Sequence, residues 1–237
     1  MHSPRTLTHR HLKDIKHVLS HDLLGSVRQF DAFLTLFQES RDAASEELDT
    51  LGMAQKVAAL LERRLKSLVE LVELEGQVMA SMRLALSDVV EAALETRRDA
   101  LSDESVTVEV SAEGHPQVEG DPLMLRMLVV ELLDNALKFR KPNAPLTLRI
   151  SLSQSAESAT LTVQDDGMGF KASLIKRIFK PFKSLHPRGT YPGVGMGLTT
   201  CALIAARHEG RLEATGELGV GATFVLTLPT PGQDERA

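Results

Sequence analysis

The chain has 237 residues, 43% of them hydrophobic, a single cysteine and a formal net charge of -5. This length and apolar content predict one or two globular domains, and the lone cysteine excludes an internal disulfide and favours a reducing, cytoplasmic location. The acidic excess, the absence of tryptophan and the single tyrosine argue against nucleic-acid binding. No apolar run approaches the about 20 residues needed for membrane insertion.

The N-terminal region carries two stripes of apolar side chains at helical spacing. The first stripe comprises Ile15, Leu19, Leu23, Val27, Phe30, Leu34 and Phe37, and the second comprises Ala54, Val57, Ala58, Leu61, Leu65, Leu68 and Val72. The polar stretch from Glu39 to Asp49 separates them, which predicts a helical hairpin. Because two helices cannot cover both stripes, we expect a homodimer in which two hairpins form a four-helix bundle.

Beyond the hairpin the pattern changes to mixed strands and helices. The predicted elements are a strand entering a helix at 82–96, a strand at 106–110, a helix at 121–139, strands at 146–152 and 159–165, a helix near 197–208, and strands at 211–215 and 223–229. This mixture predicts an α+β domain. The boundary falls within residues 76–83, and we assign domains to 1–78 and 79–237.

Three short motifs in the second domain carry side chains suited to a nucleotide. In ELLDNALKF, residues 131–139, Glu131, Asn135 and Lys138 share one helix face. Asn135 offers an oxygen to magnesium, Lys138 a positive charge to a phosphate, and Glu131 a carboxylate that orients a water or takes a proton. By itself this triplet also fits a solvated helix face.

The second motif is a strand that ends in a carboxylate. In VQDDGMGF, residues 163–170, Asp165 closes the strand, and Gly167 and Gly169 follow. The carboxylate can accept a hydrogen bond from a purine amine, and the glycines let the backbone approach a ligand. An Asp-Gly pair also fits an ordinary hairpin turn.

The third motif, GVGMGL at 193–198, places three glycines before a helix. The N–H groups at a helix start favour phosphate, but a polar loop precedes this motif, so it is not the Rossmann fingerprint. The coincidence of three such motifs in one chain favours a nucleotide site over three unrelated local explanations.

Together these motifs resemble the histidine kinase ATP-binding domain. In chain order, ELLDNALKF resembles its N box, VQDDGMGF its first glycine box, IFKPF at 178–182 its F box and GVGMGL its second glycine box. The stretch FKPFKSLHPRGTYPGVGMGL is similar to kinases of the bacteriophytochrome and PAS-linked type, and the resemblance covers residues 12–229.

The resemblance implies a Bergerat-type α/β sandwich that binds ATP with Mg²⁺ beneath a lid at 171–191. It assigns Asp165 to the adenine, Asn135 to the magnesium, Lys138 to a phosphate and Glu131 to the reacting phosphate. The lid hinges and the phosphate turn are assigned to Gly167, Gly169, Gly193, Gly195, Gly197 and Leu198. Ser184 departs from the arginine that related kinases often carry, and Lys183 and Arg188 are the candidates to replace that arginine.

The same resemblance places LSHDLLGSVRQF, residues 19–30, on the phosphoacceptor H box. His21 lies two residues from both Leu19 and Leu23, about 200° around the helix from each, so it faces away from the apolar stripe. An exposed imidazole nitrogen is the nucleophile that attack on a γ-phosphate requires, and Asp22 supplies the acidic neighbour. His11 and His17 lack such a neighbour.

Two departures from the H box concern later steps. The expected proline is Ser26, so we expect no helix kink there. The position at which the family uses threonine or asparagine to position a hydrolytic water is Gly25, which has no side chain to do so. We therefore expect weak phosphatase activity toward the partner.

These observations predict a two-component histidine kinase that autophosphorylates His21 and passes the phosphoryl group to an aspartate of a response regulator receiver domain. The alternatives are a non-catalytic phosphotransfer or scaffold protein with the same hairpin, and another ATPase or serine kinase on the same sandwich fold. Few residues precede the first stripe, so we expect the signal to arrive through a separate sensor protein, unless the chain is a fragment of a longer one.

Overall fold

The computed structural model describes residues 28–30, 32, 35, 44–183 and 193–231. The chain divides into two compact units. The helical unit comprises residues 1–76, 180–184 and 192–196, and the sheet unit comprises residues 77–179, 185–191 and 197–237. His21, Asp22, Gly25, Ser26, Ser184 and Arg188 lie outside the described residues, as does most of the first predicted stripe.

The helical unit is built on one long helix, α1, over Ala44–Gly76. Its buried apolar side chains are Ala54, Leu68, Leu71 and Leu74. A second row, Leu65, Val69 and Val72, is 45%, 55% and 49% exposed. Residues 28–30, 32 and 35 are also helical.

One detail of the predicted hairpin is wrong. The expected break at 39–49 ends earlier, because α1 already begins at Ala44; acidic residues such as Glu46 and Glu47 are favourable in the first turn of a helix, where the dipole is positive. In the second predicted stripe Ala54 and Leu68 are buried, whereas Leu65 and Val72 are about half-exposed. The buried face of α1 also includes Arg64, which the stripe does not contain and which is 5% exposed. A single chain thus leaves part of the predicted stripe uncovered.

The sheet unit alternates strands and helices in the order that the sequence predicts. Its elements are β1 Met82–Ala85, α2 Leu86–Thr96, α3 Arg98–Leu101, β2 Val106–Ala112, β3 Gln117–Gly120, α4 Pro122–Lys138, β4 Leu146–Gln154, β5 Ser158–Asp165, a 3₁₀ turn Ala172–Leu174, α5 Ile175–Ile178, α6 Gly197–Arg207, β6 Arg211–Glu217 and β7 Gly221–Pro229. Strand β3 and the short helices α3 and α5 were not predicted.

The larger sheet has the strand order β2-β4-β5-β7-β6. Strands β2 and β4 are parallel, and the other neighbours are antiparallel. Strands β1 and β3 form a separate antiparallel pair in which Met82 lies opposite Gly120. This pair is short, and short strands show too few residues to reveal an alternating pattern.

The core lies between the sheet and a layer formed by α2, α4 and α6, and the central strands β4, β5 and β7 bury alternate residues. Strand β4 buries Leu146, Leu148, Ile150 and Leu152, whereas Arg149 and Ser151 on its other face are exposed. Helix α4 contributes Leu128, Leu132 and Leu133, all fully buried. Within the part of the chain that the structure describes, no helix is both long enough and apolar enough to cross a bilayer.

Candidate nucleotide-binding site

The end of β5 holds a buried carboxylate that is only partly hydrogen-bonded. Asp165 is 9% exposed, and its Oδ1 accepts hydrogen bonds from the Gly167 N–H at 2.9 Å and the Ala222 N–H at 3.3 Å. Its Oδ2 has no hydrogen-bond partner among the described residues. Burial raises the pKa of the Asp165 carboxyl above its usual value, and the two N–H donors oppose this only in part. An amine of a ligand could complete this site.

The turn after β5 needs its glycines for close packing. A Cβ at Gly167 would lie 2.7 Å from the Phe139 carbonyl oxygen, which accepts a hydrogen bond from the Met168 N–H at 2.9 Å. Gly169 has φ +60°, and a Cβ there would lie 1.9 Å from the Glu217 carbonyl oxygen. The turn is therefore fixed both to the C-terminal end of α4 and to the β6–β7 hairpin.

The C-terminal half of α4 carries the three side chains predicted from ELLDNALKF. The Asn135 side-chain nitrogen is buried and has no hydrogen-bond partner in the described part of the chain. Lys138 is half-buried, and burial lowers the pKa of its amine, while the negative charge of Glu131 opposes the shift. A buried amide without a partner is unfavourable by about 1–3 kcal/mol, so this region is suited to a polar ligand.

Helix α6 begins against these same side chains. A Cβ at Gly197 would lie 2.2 Å from Glu131 Oε2 and 3.9 Å from Asn135 Nδ2, so only glycine leaves room for Glu131 as it stands. The first N–H groups of a helix are free to bind an anion. Helix α6 therefore presents its N-terminus beside Glu131 and Asn135.

The remaining predicted glycines and Lys183 fall in the helical unit. Within that unit the Phe182 N–H donates to the Gly195 carbonyl at 3.0 Å. Gly195 has φ +79°, and a Cβ there would lie 3.0 Å from the Lys183 carbonyl oxygen. The chain segments on either side of residues 184–192 are thus held together at their base. Leu198 lies in the first turn of α6, and Gly193 adopts φ 111°.

Several contacts around the site were not predicted. The Thr199 hydroxyl donates to the Phe179 carbonyl at 3.1 Å, which ties the start of α6 to the F box. Arg97 makes a two-pronged ion pair with Asp134 on α4, with distances of 2.6 and 2.7 Å. Asp166 Oδ1 accepts from the Thr147 N–H at 2.9 Å. The sequence signal for Arg97 and Asp134 is only their charge, because 37 positions separate them.

The residues present fit a nucleotide with a magnesium ion. The fit rests on the buried Asn135 amide without a partner and on the open Asp165 oxygen. The described residues contain no cluster of three or more histidine, cysteine, aspartate or glutamate side chains able to hold a metal. A magnesium ion would therefore depend on phosphate and water oxygens besides Asn135, which is a common arrangement for this ion.

Comparison with known proteins agrees with this reading. Residues 120–232 match the family model "Histidine kinase-, DNA gyrase B-, and HSP90-like ATPase". Cyanobacterial phytochrome A of Nostoc sp. is 28% identical over 227 residues, which are 94% of this chain and 29% of that protein. The chain therefore spans less than a third of the length of this relative.

Solved structures extend the similarity. The mycobacterial sensor histidine kinase MprB aligns with a TM-score of 0.56 and 25% identity, over 64% of this chain and 99% of the other. Histidine kinase ThkA, in its complex with the response regulator protein TrrA, shares the fold with a TM-score of 0.64 and 15% identity, over 96% of this chain and 64% of the other. Residues 120–232, which make up most of the sheet unit, therefore carry an ATPase domain of the histidine kinase, DNA gyrase B and HSP90 type.

Proposed function

We propose that the chain is the transmitter core of a two-component histidine kinase, with a dimerisation and phosphotransfer hairpin at 1–78 and an ATP-binding domain at 79–237. The observation that carries this proposal is the buried side-chain nitrogen of Asn135, which has no hydrogen-bond partner among the described residues and lies beside the start of α6. The buried Asp165 carboxylate, of which only Oδ1 accepts hydrogen bonds from the described residues, supports it. The family match and the sensor kinases among its relatives support the same reaction.

Each residue of the site has a separate task in this proposal. Asp165 accepts a hydrogen bond from the adenine amine through its Oδ2, since only Oδ1 accepts hydrogen bonds from the described residues. Lys138, half-buried, faces the phosphates, and the first N–H groups of α6, from Gly197 and Leu198, bind phosphate oxygens. Glu131 lies near the reacting phosphate, where its carboxylate orients the attacking group.

Asn135 would hold the magnesium through its side-chain oxygen. When bound, this ion neutralises charge that develops on the phosphate oxygens during transfer. The side-chain nitrogen of Asn135 then remains available to a phosphate oxygen or a water. Gly167 and Gly169 supply the turn that follows β5. The family pattern assigns Gly193 and Gly195 to the lid, and Lys183 is the proposed replacement for the arginine that the lid lacks at Ser184.

The phosphoacceptor in this proposal is His21. One imidazole nitrogen attacks the γ-phosphorus in line, a phosphorus–nitrogen bond forms, and ADP leaves with the electrons of the broken phosphorus–oxygen bond. Asp22 accepts the hydrogen bond of the other ring nitrogen, which keeps the attacking nitrogen unprotonated. The phosphoryl group then passes to an aspartate of a receiver domain, and Gly25 leaves hydrolysis of that product weak.

A homodimer is proposed from the apolar row on α1. Leu65, Val69 and Val72 are about half-exposed and recur at helical spacing, and a second copy that packs against this row would bury them. A four-helix bundle of two hairpins is the arrangement that does so with short connections. The further partners are a response regulator receiver domain and a separate sensor protein, with the reaction in the cytoplasm.

Labelling with ATP tests the proposal. The full chain is incubated with γ-labelled ATP and magnesium, alongside His21→Gln, the neighbouring control His17→Gln, and Asn135→Ala. We expect an acid-labile, alkali-stable label on the wild type and on His17→Gln, and none on the other two. Label that survives acid indicates a serine kinase, and nucleotide binding without any label indicates a non-catalytic phosphotransfer protein; either result would contradict the proposal.

A further inference from the structure

Residues 77–81, which join α1 to β1, are held to the rest of the sheet unit by two hydrogen bonds. The Arg207 guanidinium donates to the Gln77 carbonyl oxygen. The Ala80 N–H donates to Asp121 Oδ2 at 2.9 Å. Both hydrogen bonds use backbone atoms of the segment, so they restrain its backbone conformation and not merely a side chain.

Both carboxylate oxygens of Asp121 accept hydrogen bonds from backbone N–H groups. It is 2% exposed, and its Oδ1 caps helix α4 by accepting from the Leu123 and Met124 N–H groups at 2.9 and 3.1 Å. Its Oδ2 is left for Ala80. One carboxylate therefore joins the start of α4 to the segment that follows α1.

His208 holds Asp121 from the other side. It is 4% exposed, and its Nδ1 lies 2.7 Å from the Ile204 carbonyl oxygen, which can only accept a hydrogen bond. The proton is therefore on Nδ1, and Nε2 accepts from the Asp121 N–H at 2.9 Å. A Cβ at Gly120 would lie 2.5 Å from His208 Cδ2, so the imidazole and the backbone of β3 are in direct contact.

These contacts lie at the start of α4 and at the end of α6, which are the helix ends far from the candidate site. Helix α4 starts after Asp121 and carries Asn135 about four turns later, roughly 20 Å along its axis. Helix α6 starts with Gly197 at the site and ends with Arg207. The segment that leaves α1 is therefore attached to both helices at the ends opposite the nucleotide residues.

We propose that Asp121 and Arg207 are positioning residues for phosphoryl transfer: by fastening residues 77–80 to α4 and α6, they shorten the flexible connection between the phosphoacceptor hairpin and the nucleotide site. This inference rests on the proposed function. A shorter flexible connection raises the effective concentration of one reacting group near the other. Loss of the contacts leaves the nucleotide residues in place but makes productive encounters with the histidine rarer.

Three variants release the segment without touching the nucleotide residues. Asp121→Asn retains a side chain that caps helices well. It replaces one carboxylate oxygen by an amide nitrogen, so the helix cap and the Ala80 N–H no longer each have an oxygen acceptor. Ala80→Pro removes the donor and leaves Asp121 unchanged. Arg207→Gln removes the second contact; Arg207→Lys retains a donor for the Gln77 carbonyl, and Arg126→Gln, on the exposed face of α4, is the matched control.

The measurements on the full chain are ATP affinity, the rate of labelling at saturating ATP, and hydrogen exchange at the Ala80 amide. For Ala80→Pro and Arg207→Gln we expect ATP affinity within about twofold of wild type and labelling slower by about tenfold. Arg207→Lys should label within about threefold of the wild-type rate, and Arg126→Gln at that rate. In Asp121→Asn the Ala80 amide should exchange about tenfold faster.

Two outcomes would overturn the inference. In the first, Ala80→Pro and Arg207→Gln label at the wild-type rate, and Asp121→Asn does so although its Ala80 amide exchanges faster. In the second, their ATP affinity falls in parallel with their labelling, which would make Asp121 and Arg207 supports of the nucleotide site itself. An unlabelled wild type contradicts the proposed kinase reaction, and positioning for it, whereas slow exchange at Ala80 would still show that the segment is fastened.

Discussion

Two buried aspartates of the sheet unit show how its two ends differ. Asp121 receives three backbone N–H donors, and although burial opposes the shift, these donors hold the pKa of its carboxyl below the usual value. Asp165 receives two donors, both on Oδ1, and burial raises the pKa of its carboxyl. Both oxygens of the Asp121 carboxylate thus accept hydrogen bonds from the described residues, whereas only one oxygen of the Asp165 carboxylate does.

The same contrast runs along helix α4. At its start, Asp121 and His208 have all of their side-chain polar atoms hydrogen-bonded. Near its end, the Asn135 nitrogen is buried without a partner among the described residues. A buried polar group without a partner opposes folding, so the Asn135 nitrogen near the end of α4 indicates a surface that a polar ligand completes.

The largest expected effect on labelling comes from replacing Asn135, near the end of α4, by an apolar residue. Asn135→Leu removes the unpaired amide and the proposed magnesium ligand with little change in volume. We expect labelling by ATP to fall by more than about 100-fold, while the free energy of unfolding rises by about 1 kcal/mol. Met127→Leu, on the exposed face of the same helix, is the control. A parallel loss of stability and labelling would show that Asn135 supports the fold instead.

Removing the Asp121 carboxylate, which is fully hydrogen-bonded, should instead lower the free energy of unfolding. Asp121→Ala deprives three N–H groups of their acceptor, so the free energy of unfolding should fall by about 2–3 kcal/mol. Denaturant unfolding of the full chain measures this change, with the exposed Asp99→Ala as the control. Equal stability of the two variants would remove the distinction between the two aspartates.

A smaller effect is expected where α6 meets α4. In Gly197→Ala the new methyl would collide with the Glu131 carboxylate, which is the flexible end of a side chain and can move aside. We expect labelling to fall by about tenfold with stability changed by less than about 1 kcal/mol. Gly114→Ala, in a loop with no heavy atom within 4 Å of the added Cβ, shows the effect of alanine on backbone strain alone.

The smallest effect is a pH dependence from His208. Burial lowers the pKa of its imidazole below 6.5, so the folded protein holds it neutral. Above about pH 6.5 the imidazole is neutral in both states; as the pH falls below this value, only the unfolded chain takes up the proton, and stability decreases.

The free energy of unfolding should therefore be smaller at about pH 5.5 than at about pH 7.5 through this group. His208→Gln, which does not titrate, should lose this part of the difference. An unchanged pH dependence in that variant would mean that His208 is not held neutral by the fold.

Periodicity alone predicts most of the sheet unit. Strands β4, β5 and β7 and helix α4 lie within a few residues of their predicted positions, because their buried residues recur at the period of a strand or a helix. The parallel pairing of β2 with β4 and the β1–β3 pair were not predicted, since pairing depends on the packing of distant segments. Helix α1 shows the same limit: its apolar stripe does not include Arg64, whose side chain is buried.

The candidate site was predictable for a different reason. Asn135, Asp165 and Gly197 belong to short motifs whose chemistry is local, and the structure brings Asn135 close to Gly197. Asp121 and His208 escaped notice because they are 87 positions apart, and each alone suggests only a helix cap or an ordinary core histidine. The hint was Asp121 before Pro122, a strong helix start, but nothing in it points to Ala80.

The most direct measurement is a titration of the full chain with ATP and magnesium, compared with Asp165→Asn and with Asp166→Asn, its sequence neighbour. Asp165→Asn keeps an acceptor for the Gly167 N–H but loses the charge that an adenine amine would meet. We expect wild type and Asp166→Asn to bind with affinities within about threefold of one another, and Asp165→Asn to bind about 10–100-fold more weakly. Equal affinity in all three proteins would contradict the assignment of this end of the sheet unit to ATP.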